Sequence, residues 1–189
     1  MFVYDISEYL AKGKKDEDIA MHVIEETLGG KCFRPSNYKT AEYIDIECHT
    51  DFFWSSPKGY LCSIDKKSPK KINRLDEKET NDYTWIEIKN VNGKNGSACC
   101  QVENLAKIGY KVENNRDYCC YEIDNIYFFI QRIKLENWIK KQIKNKEIVF
   151  SNPNQPYIPY QRKNRQDLIV LVPINDIEKL SQFEIKIIK

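Results

Sequence analysis

The sequence predicts an α/β or α+β fold in which helices flank a mixed central sheet. A helical run at 19–28 precedes two apolar, aromatic-rich runs at 50–54 and 61–67 that are typical of strands. Further along, a buried strand at 125–130 is followed by an amphipathic helix at 134–143. This order of a helix, a strand meander and then mixed strands and helices indicates a sheet covered by helices.

The length of the chain indicates a single domain. Its 189 residues are enough to bury a proper core, and they contain no internal repeat or low-complexity tract. We expect one domain over residues 1–189, with its core at about 15–135 and a C-terminal strand–helix–strand extension at about 150–189. The extension is predicted to consist of a buried strand, a short helix and an edge strand, at 167–172, 175–180 and 183–188.

The first helix has recognisable end signals. Acids at 16–18 are expected in its first turn, where they suit the helix dipole, and the glycines at 29–30 end it. Helical spacing places Glu26 on the same face as Ile19, so Glu26 is expected to lean toward the apolar side. Glu25 is the solvent-facing alternative.

Other segments are predicted from local composition. Residues 31–39 are predicted as a loop, and 41–48 as an extension of the strand that carries Asp51. Residues 90–97 hold two glycines and three asparagines and are predicted as a loop, and 101–108 as a short helix.

The acidic runs on either side of the turn signal at 55–60 predict a β-hairpin. Pairing about residue 58 makes Asp51 and Asp65 cross-strand neighbours, and Lys67 points the same way as Asp65 because side chains alternate along a strand. Two carboxylates and an ammonium at one spot are the minimal equipment for binding Mg²⁺ and cutting a phosphodiester.

The pattern Asp51, thirteen residues, Asp65-x-Lys67 resembles the PD-(D/E)XK nuclease superfamily of restriction enzymes, junction resolvases and repair nucleases. The resemblance covers roughly residues 15–135, and Thr50 stands where the superfamily often has proline. It implies a restriction-endonuclease-like fold and a Mg²⁺- or Mn²⁺-dependent endonuclease that hydrolyses phosphodiester bonds in DNA. Asp51 and Asp65 would then be metal ligands, and Lys67 would orient or help to activate the attacking water.

A second reading of the same pattern stays open. Glu87-x-Lys89 lies on an alternating strand at 83–89, and Asp65 can serve as its preceding acid. A three-strand meander would put Asp51, Asp65 and Glu87 side by side, with Glu87 as a further metal or water ligand. Lys89 would then be a phosphate contact or the alternative catalytic lysine. The superfamily also tends to place a glutamate on the preceding helix, which makes Glu26 a candidate metal ligand.

Two basic segments predict contacts with nucleic acid, although the net charge is only +2. The first is a basic loop directly after the proposed site, and its candidate residues are Lys66, Lys70, Lys71 and Arg74. The second is a proline-rich arm at 152–165, and its candidate residues are Tyr160, Arg162 and Arg165. DNA is the expected partner, while RNA and a homodimer stay open.

Seven cysteines, an odd number, together with the absence of a signal peptide or an apolar membrane span, indicate an intracellular, reducing environment and no membrane contact. The vicinal pairs at 99–100 and 119–120 lack the usual spacing of zinc ligands and are expected to be buried apolar residues. The alternative to an enzyme is a catalytically inactive nuclease-like module for DNA binding or protein interaction. A third possibility is a globular protein without affinity for nucleic acid.

Overall fold

A computed structural model describes residues 6–67, 83–89, 98–151, 153, 155–164 and 168–187. In chain order its elements are α1 (Ile6–Leu28), β1 (Lys31–Phe33), α2 (Tyr38–Cys48), β2 (Phe52–Ser55), β3 (Leu61–Lys67), β4 (Tyr83–Lys89), α3 (Ala98–Lys107), β5 (Asp117–Ile123), β6 (Ile126–Gln131), α4 (Arg132–Gln142), β7 (Pro159–Gln161), β8 (Leu168–Pro173), α5 (Ile174–Leu180) and β9 (Phe183–Lys186).

The predicted mixed sheet flanked by helices is confirmed. Six strands form the main sheet in the order β1-β2-β3-β5-β6-β9, and its pairs are antiparallel apart from the parallel pair β3–β5. A smaller antiparallel sheet has the order β4-β8-β7. The expected meander of three adjacent acidic strands is wrong. A strand has only two edges, and those of β3 are taken by β2 and β5.

The main sheet is covered on both faces. Ala20 and Ile24 of α1 pack against one face, together with Phe52 and Ile64. On the opposite face α2 and α3 cover the β2 end, where Phe53 is fully buried. The small sheet, α4 and α5 cover the β5–β6 end of that face. The chain therefore presents its hairpin between α1 on one side and α2 on the other.

The C-terminal segment is part of this architecture. Its predicted strand, helix and edge strand are confirmed as β8, α5 and β9. β8 is the central strand of the small sheet, whereas β9 pairs with β6 at the edge of the main sheet. The segment 168–186 therefore joins the two sheets and completes the core.

Three segments differ from the sequence prediction. The predicted loop at 31–39 contains strand β1 (Lys31–Phe33) and the start of α2. Residues 41–48 belong to helix α2 and not to a strand, because the Asn37 side chain caps the helix by accepting from the backbone N–H groups of Lys39 and Thr40. The acids at 16–18 lie inside α1 and not in its first turn, since the helix begins at Ile6. The predicted helix end at 29–30 is confirmed by the positive φ angles of both glycines, 70° and 82°.

Cysteines in the described part of the chain are buried thiols, at positions 32, 48, 62, 119 and 120. The expected burial of the pair at 119–120 is thus confirmed, whereas the side chains at 99–100 lie outside the described residues. None of the helices in the described ranges combines the length and the apolar composition that crossing a membrane requires.

Candidate active site

The predicted hairpin brings Asp51 and Asp65 together. Phe52 pairs with Ile64, and the Asp51 N–H donates to the Ile64 carbonyl at 2.9 Å, so Asp51 lies at the open end of the hairpin, where β3 continues to Asp65. The backbone N–H of Lys66 also donates to Oδ2 of Asp51 at 2.6 Å. The charge of Asp65 raises the pKa of Asp51, and the charges of both carboxyl groups act on Lys67, so the two carboxyl groups are neighbours.

Asp65 is held by two cations. Its side chain is almost fully buried, with Lys67 Nζ 2.7 Å from Oδ1 and Arg132 Nη1 3.1 Å from Oδ2. Burial alone would raise the pKa of Asp65, but the charges and hydrogen bonds of Lys67 and Arg132 outweigh burial and lower it. Asp65 is therefore an anion at neutral pH. The Lys67 side chain is 49% exposed, so its ammonium stands at the surface of the site.

The pKa of Asp51 is shifted in the opposite direction from that of Asp65. Burial, followed by the negative charge of Asp65, raises the pKa of Asp51 to about 8, while Lys67 and the Lys66 N–H oppose the rise. The charge of Glu17 adds to the rise. In the metal-free protein the Asp51 carboxyl group therefore keeps its proton at neutral pH. A cation beside the pair would favour the ionised form of Asp51 and so lower this pKa.

Arg132 is the hub of a buried ion network that sequence reasoning missed. Its Nε lies 2.9 Å from Asp117 Oδ2, and its Nη2 donates to the His49 carbonyl at 2.9 Å. Asp117 also accepts from Ser63 Oγ at 2.9 Å. The one sequence signal was a lone acid, Asp117, directly before the apolar run at 118–121. The network ties β3, β5, α4 and the α2–β2 corner together behind the carboxyl pair.

A cleft of about 560 Å³ opens beside Asp51, between α1 and α2. Glu17 lines it and is ion-paired with Arg34, with Oε2 at 2.8 Å from Nη2. Glu17, and not Glu26, is thus the helix glutamate next to the carboxyl pair. The expectation that Glu26 leans toward the apolar side is wrong, since its carboxylate is 67% exposed and pairs with His22 at 3.1 Å.

Glu25 also differs from expectation. Its carboxylate is partly buried and accepts from the backbone N–H of Cys32 at 2.6 Å, so it secures the start of β1 and does not simply face solvent. Both predictions failed for the same reason, because α1 buries a different face from the one that the sequence pattern suggested. Ala20 and Ile24 form its buried stripe, and Ile19 is 45% exposed.

The donor chemistry of the carboxyl pair fits Mg²⁺. Mg²⁺ binds hard oxygen ligands, commonly one or two carboxylates, and keeps several waters. Asp51 and Asp65 would supply two carboxylates from one face of the hairpin. Within the described ranges no group of three or more His, Cys, Asp or Glu side chains is arranged to hold a metal. The pair would therefore hold a metal with water or substrate oxygens completing its shell.

Glu87 and Lys89 lie on β4 in the small sheet, so they are not on a strand adjacent to Asp65. Their side chains lie outside what the structure describes, and their proposed roles stay predictions.

Lys66 does not lie where the sequence predicted. It belongs to β3 and not to a loop, its side chain is buried on the sheet face opposite Asp65, and its Nζ lies 2.8 Å from Glu122 Oε2.

The remaining predicted nucleic-acid contacts divide into two groups. Lys70, Lys71, Arg74 and Arg165 lie outside the described residues. Tyr160 is on β7, and Arg162 follows that strand directly; both are partly buried.

Comparison of the chain with protein-family models, with curated proteins and with solved structures found no match.

Proposed function

We propose that the chain is a metal-dependent nuclease that hydrolyses phosphodiester bonds at the Asp51–Asp65 pair. The single observation that carries this proposal is the placement of two interacting carboxyl groups at the end of the hairpin, with the Lys67 ammonium 2.7 Å from Asp65, beside an open cleft. The same residues form the pattern that resembles the PD-(D/E)XK superfamily. A restriction-endonuclease-like architecture belongs to this proposal.

Each residue has a separate role. Asp51 and Asp65 hold Mg²⁺ or Mn²⁺, which when bound stabilises charge on the phosphate and lowers the pKa of a coordinated water. The pKa of Lys67 is raised, since the charges of Asp65 and Asp51 outweigh the effect of burial, so Lys67 stays a cation that can neutralise a phosphate oxygen and orient the attacking water. DNA is the proposed substrate, and RNA is the alternative.

The electrostatics of the cleft support a cation-dependent reaction. Glu17, Glu42 and Asp45 line the cleft together with Asp51, against the cations Lys14 and Arg34. With Asp51 protonated, the three remaining carboxylates exceed the two cations by one, which disfavours a phosphodiester weakly, and a divalent cation would offset this excess. This surface favours chemistry that requires a metal over simple electrostatic binding of nucleic acid.

A second candidate is the inactive nuclease-like module for DNA binding or protein interaction. One observation favours it, since both carboxylate oxygens of Asp65 are engaged by Lys67 and Arg132. A metal would have to compete with Lys67 for Oδ1. Arg132 is buried and held by further partners, so Lys67 is the cation that a metal would displace from Asp65.

Calorimetric titration with Mn²⁺ and a cleavage assay separate the two candidates. The nuclease binds Mn²⁺ and cleaves DNA in Mg²⁺ or Mn²⁺ but not in EDTA. Lys67→Met is expected to reduce cleavage on the order of 10²- to 10³-fold. Lys134→Met is the control, because it removes an exposed lysine of α4. An inactive module would bind nucleic acid or protein without cleavage in any metal.

A further inference from the structure

A second recess lies at the edge of the small sheet. It has a volume of about 350 Å³ and is formed by the segment after α4 and the turn that follows β7. Its lining consists of one aromatic ring, two cations and two amides: Phe150, Gln161, Arg162, Lys163 and Asn164. Phe150 is 72% exposed, although a phenyl ring has no polar group that would favour contact with water.

The exposure of Phe150 is imposed by backbone pairing. Val149, the preceding residue, forms an isolated bridge to Tyr160 on the outer side of β7. The Val149 N–H donates to the Pro159 carbonyl at 2.9 Å, and the Gln161 N–H donates to the Val149 carbonyl at 3.0 Å. The Phe150 ring therefore follows a residue that is hydrogen-bonded to the edge strand β7, and it lies beside the turn that carries Arg162 and Lys163.

The charge of this recess is opposite to that of the cleft at Asp51. Among the described lining residues there is no carboxylate, whereas Arg162 and Lys163 are both cations. Between Lys144 and Asn164 the sequence has four lysines or arginines and one acid, Glu147. An anionic ligand is thus favoured here without the help of a metal.

We propose that this recess binds one unpaired nucleotide of a single-stranded nucleic acid. The base stacks on the Phe150 ring, Arg162 and Lys163 contact the adjoining phosphates, and the two amides reach the base edges. A recess of about 350 Å³ lies at the small end of the roughly 300–1,000 Å³ range of ligand pockets, which suits a single nucleotide. In a duplex the base faces are occupied by their stacked neighbours, so the ring requires an unpaired base.

Binding of a nucleotide at the recess does not depend on the proposed nuclease activity, but the inference that single strands are the substrate rests on the proposed function. Binding is therefore measured apart from cleavage, in EDTA and low salt, by anisotropy of a labelled oligo-dT. Phe150→Ala is expected to weaken binding roughly 5- to 100-fold. Phe150→Tyr keeps the stacking surface and should bind like the wild type. Ile148→Ala removes a 44% exposed apolar side chain from the same segment and should have no effect.

Phe150→Trp gives a direct readout of stacking. Its added tryptophan fluorescence should be quenched when oligo-dT binds, and a duplex of the same length should quench it far less. Equal affinity of Phe150→Ala and the wild type for oligo-dT, or no measurable affinity in the wild type, would overturn the proposal. Quenching by thymidine monophosphate without quenching by oligo-dT would overturn it as well. A chain that binds through Phe150 but never cleaves would refute the nuclease alone.

Discussion

The guanidinium of Arg132 lies 3.1 Å from the Asp65 carboxylate in the buried interior, although 67 positions of sequence separate them. Arg132 begins α4, and Asp65 lies near the end of β3. The same guanidinium reaches Asp117 and the His49 carbonyl. The carboxyl pair is thus positioned from behind by a residue that does not face the cleft.

Arg132→Met is expected to destabilise the protein by about 3–5 kcal/mol, because Asp65 and Asp117 would be left in the interior without this partner. Chemical denaturation followed by circular dichroism measures the change. Lys134→Met is the matched control on the same helix, because Lys134 is exposed and a surface substitution of this kind changes stability by about 0.5 kcal/mol or less. Equal losses in the two variants would contradict the network's structural role.

Gly30→Ala should destabilise the fold by at least about 2 kcal/mol. Gly30 has a φ of 82°, and a Cβ there would lie 2.2 Å from the Ser55 carbonyl oxygen. Gly13→Ala is the control of opposite sign, since no neighbouring atom lies within 4 Å and alanine favours a helix by about 0.5–1 kcal/mol. Thermal unfolding of both variants gives the comparison, and a neutral Gly30→Ala would show that the turn can relax.

Asp51→Asn should change how stability depends on pH in metal-free buffer. The pKa of Asp51 is about 8 in the folded protein and 3.8 in the ordinary reference, so rising pH between these values ionises the unfolded chain first and destabilises the fold. The wild type should therefore lose stability relative to Asp51→Asn across this window, by at least about 1 kcal/mol at pH 8. Asp45→Asn, an exposed acid of the same cleft, is the control. Parallel stability curves for the wild type and Asp51→Asn would refute the raised pKa.

Glu17→Gln is expected to weaken Mn²⁺ binding several-fold, because the Glu17 charge acts on Asp51 and lines the same cleft. Glu26→Gln should leave the affinity unchanged, since Glu26 faces solvent beside His22. Calorimetric titration of both variants compares the two helix acids directly. The reverse ranking would restore Glu26 as the acid that acts on the site.

The spacing of residues in the local sequence was enough to predict the hairpin. The turn at 55–60 and the alternation along both strands predict a hairpin about residue 58, and the pairing of Phe52 with Ile64 confirms it. The same reasoning failed at Ile44 and Ile46, whose alternation with acids mimics a strand. In α2 only Ile44 of the two is buried, and Ile46 is 56% exposed.

Long-range features could not be read from the sequence. β5 takes the free edge of β3 through a parallel pairing that needs a crossover connection, and no local pattern specifies which strand returns there. The same pairing places Asp117 opposite Ser63 and thus brings Arg132 within reach of Asp65. The carboxyl pair is therefore a local feature, whereas its support depends on the topology.

The most direct measurement is cleavage of labelled single-stranded DNA, duplex DNA and RNA by the wild type, Asp51→Asn and Asp65→Asn, each in Mg²⁺, Mn²⁺ and EDTA. The asparagine variants keep the shape of the site but remove one carboxylate charge, and circular dichroism verifies their fold. We predict cleavage by the wild type that requires a divalent metal and falls on the order of 10²-fold or more in each variant. Cleavage that persists in EDTA or in Asp65→Asn, or a folded wild type that binds no Mn²⁺ and cleaves none of the substrates, would contradict it.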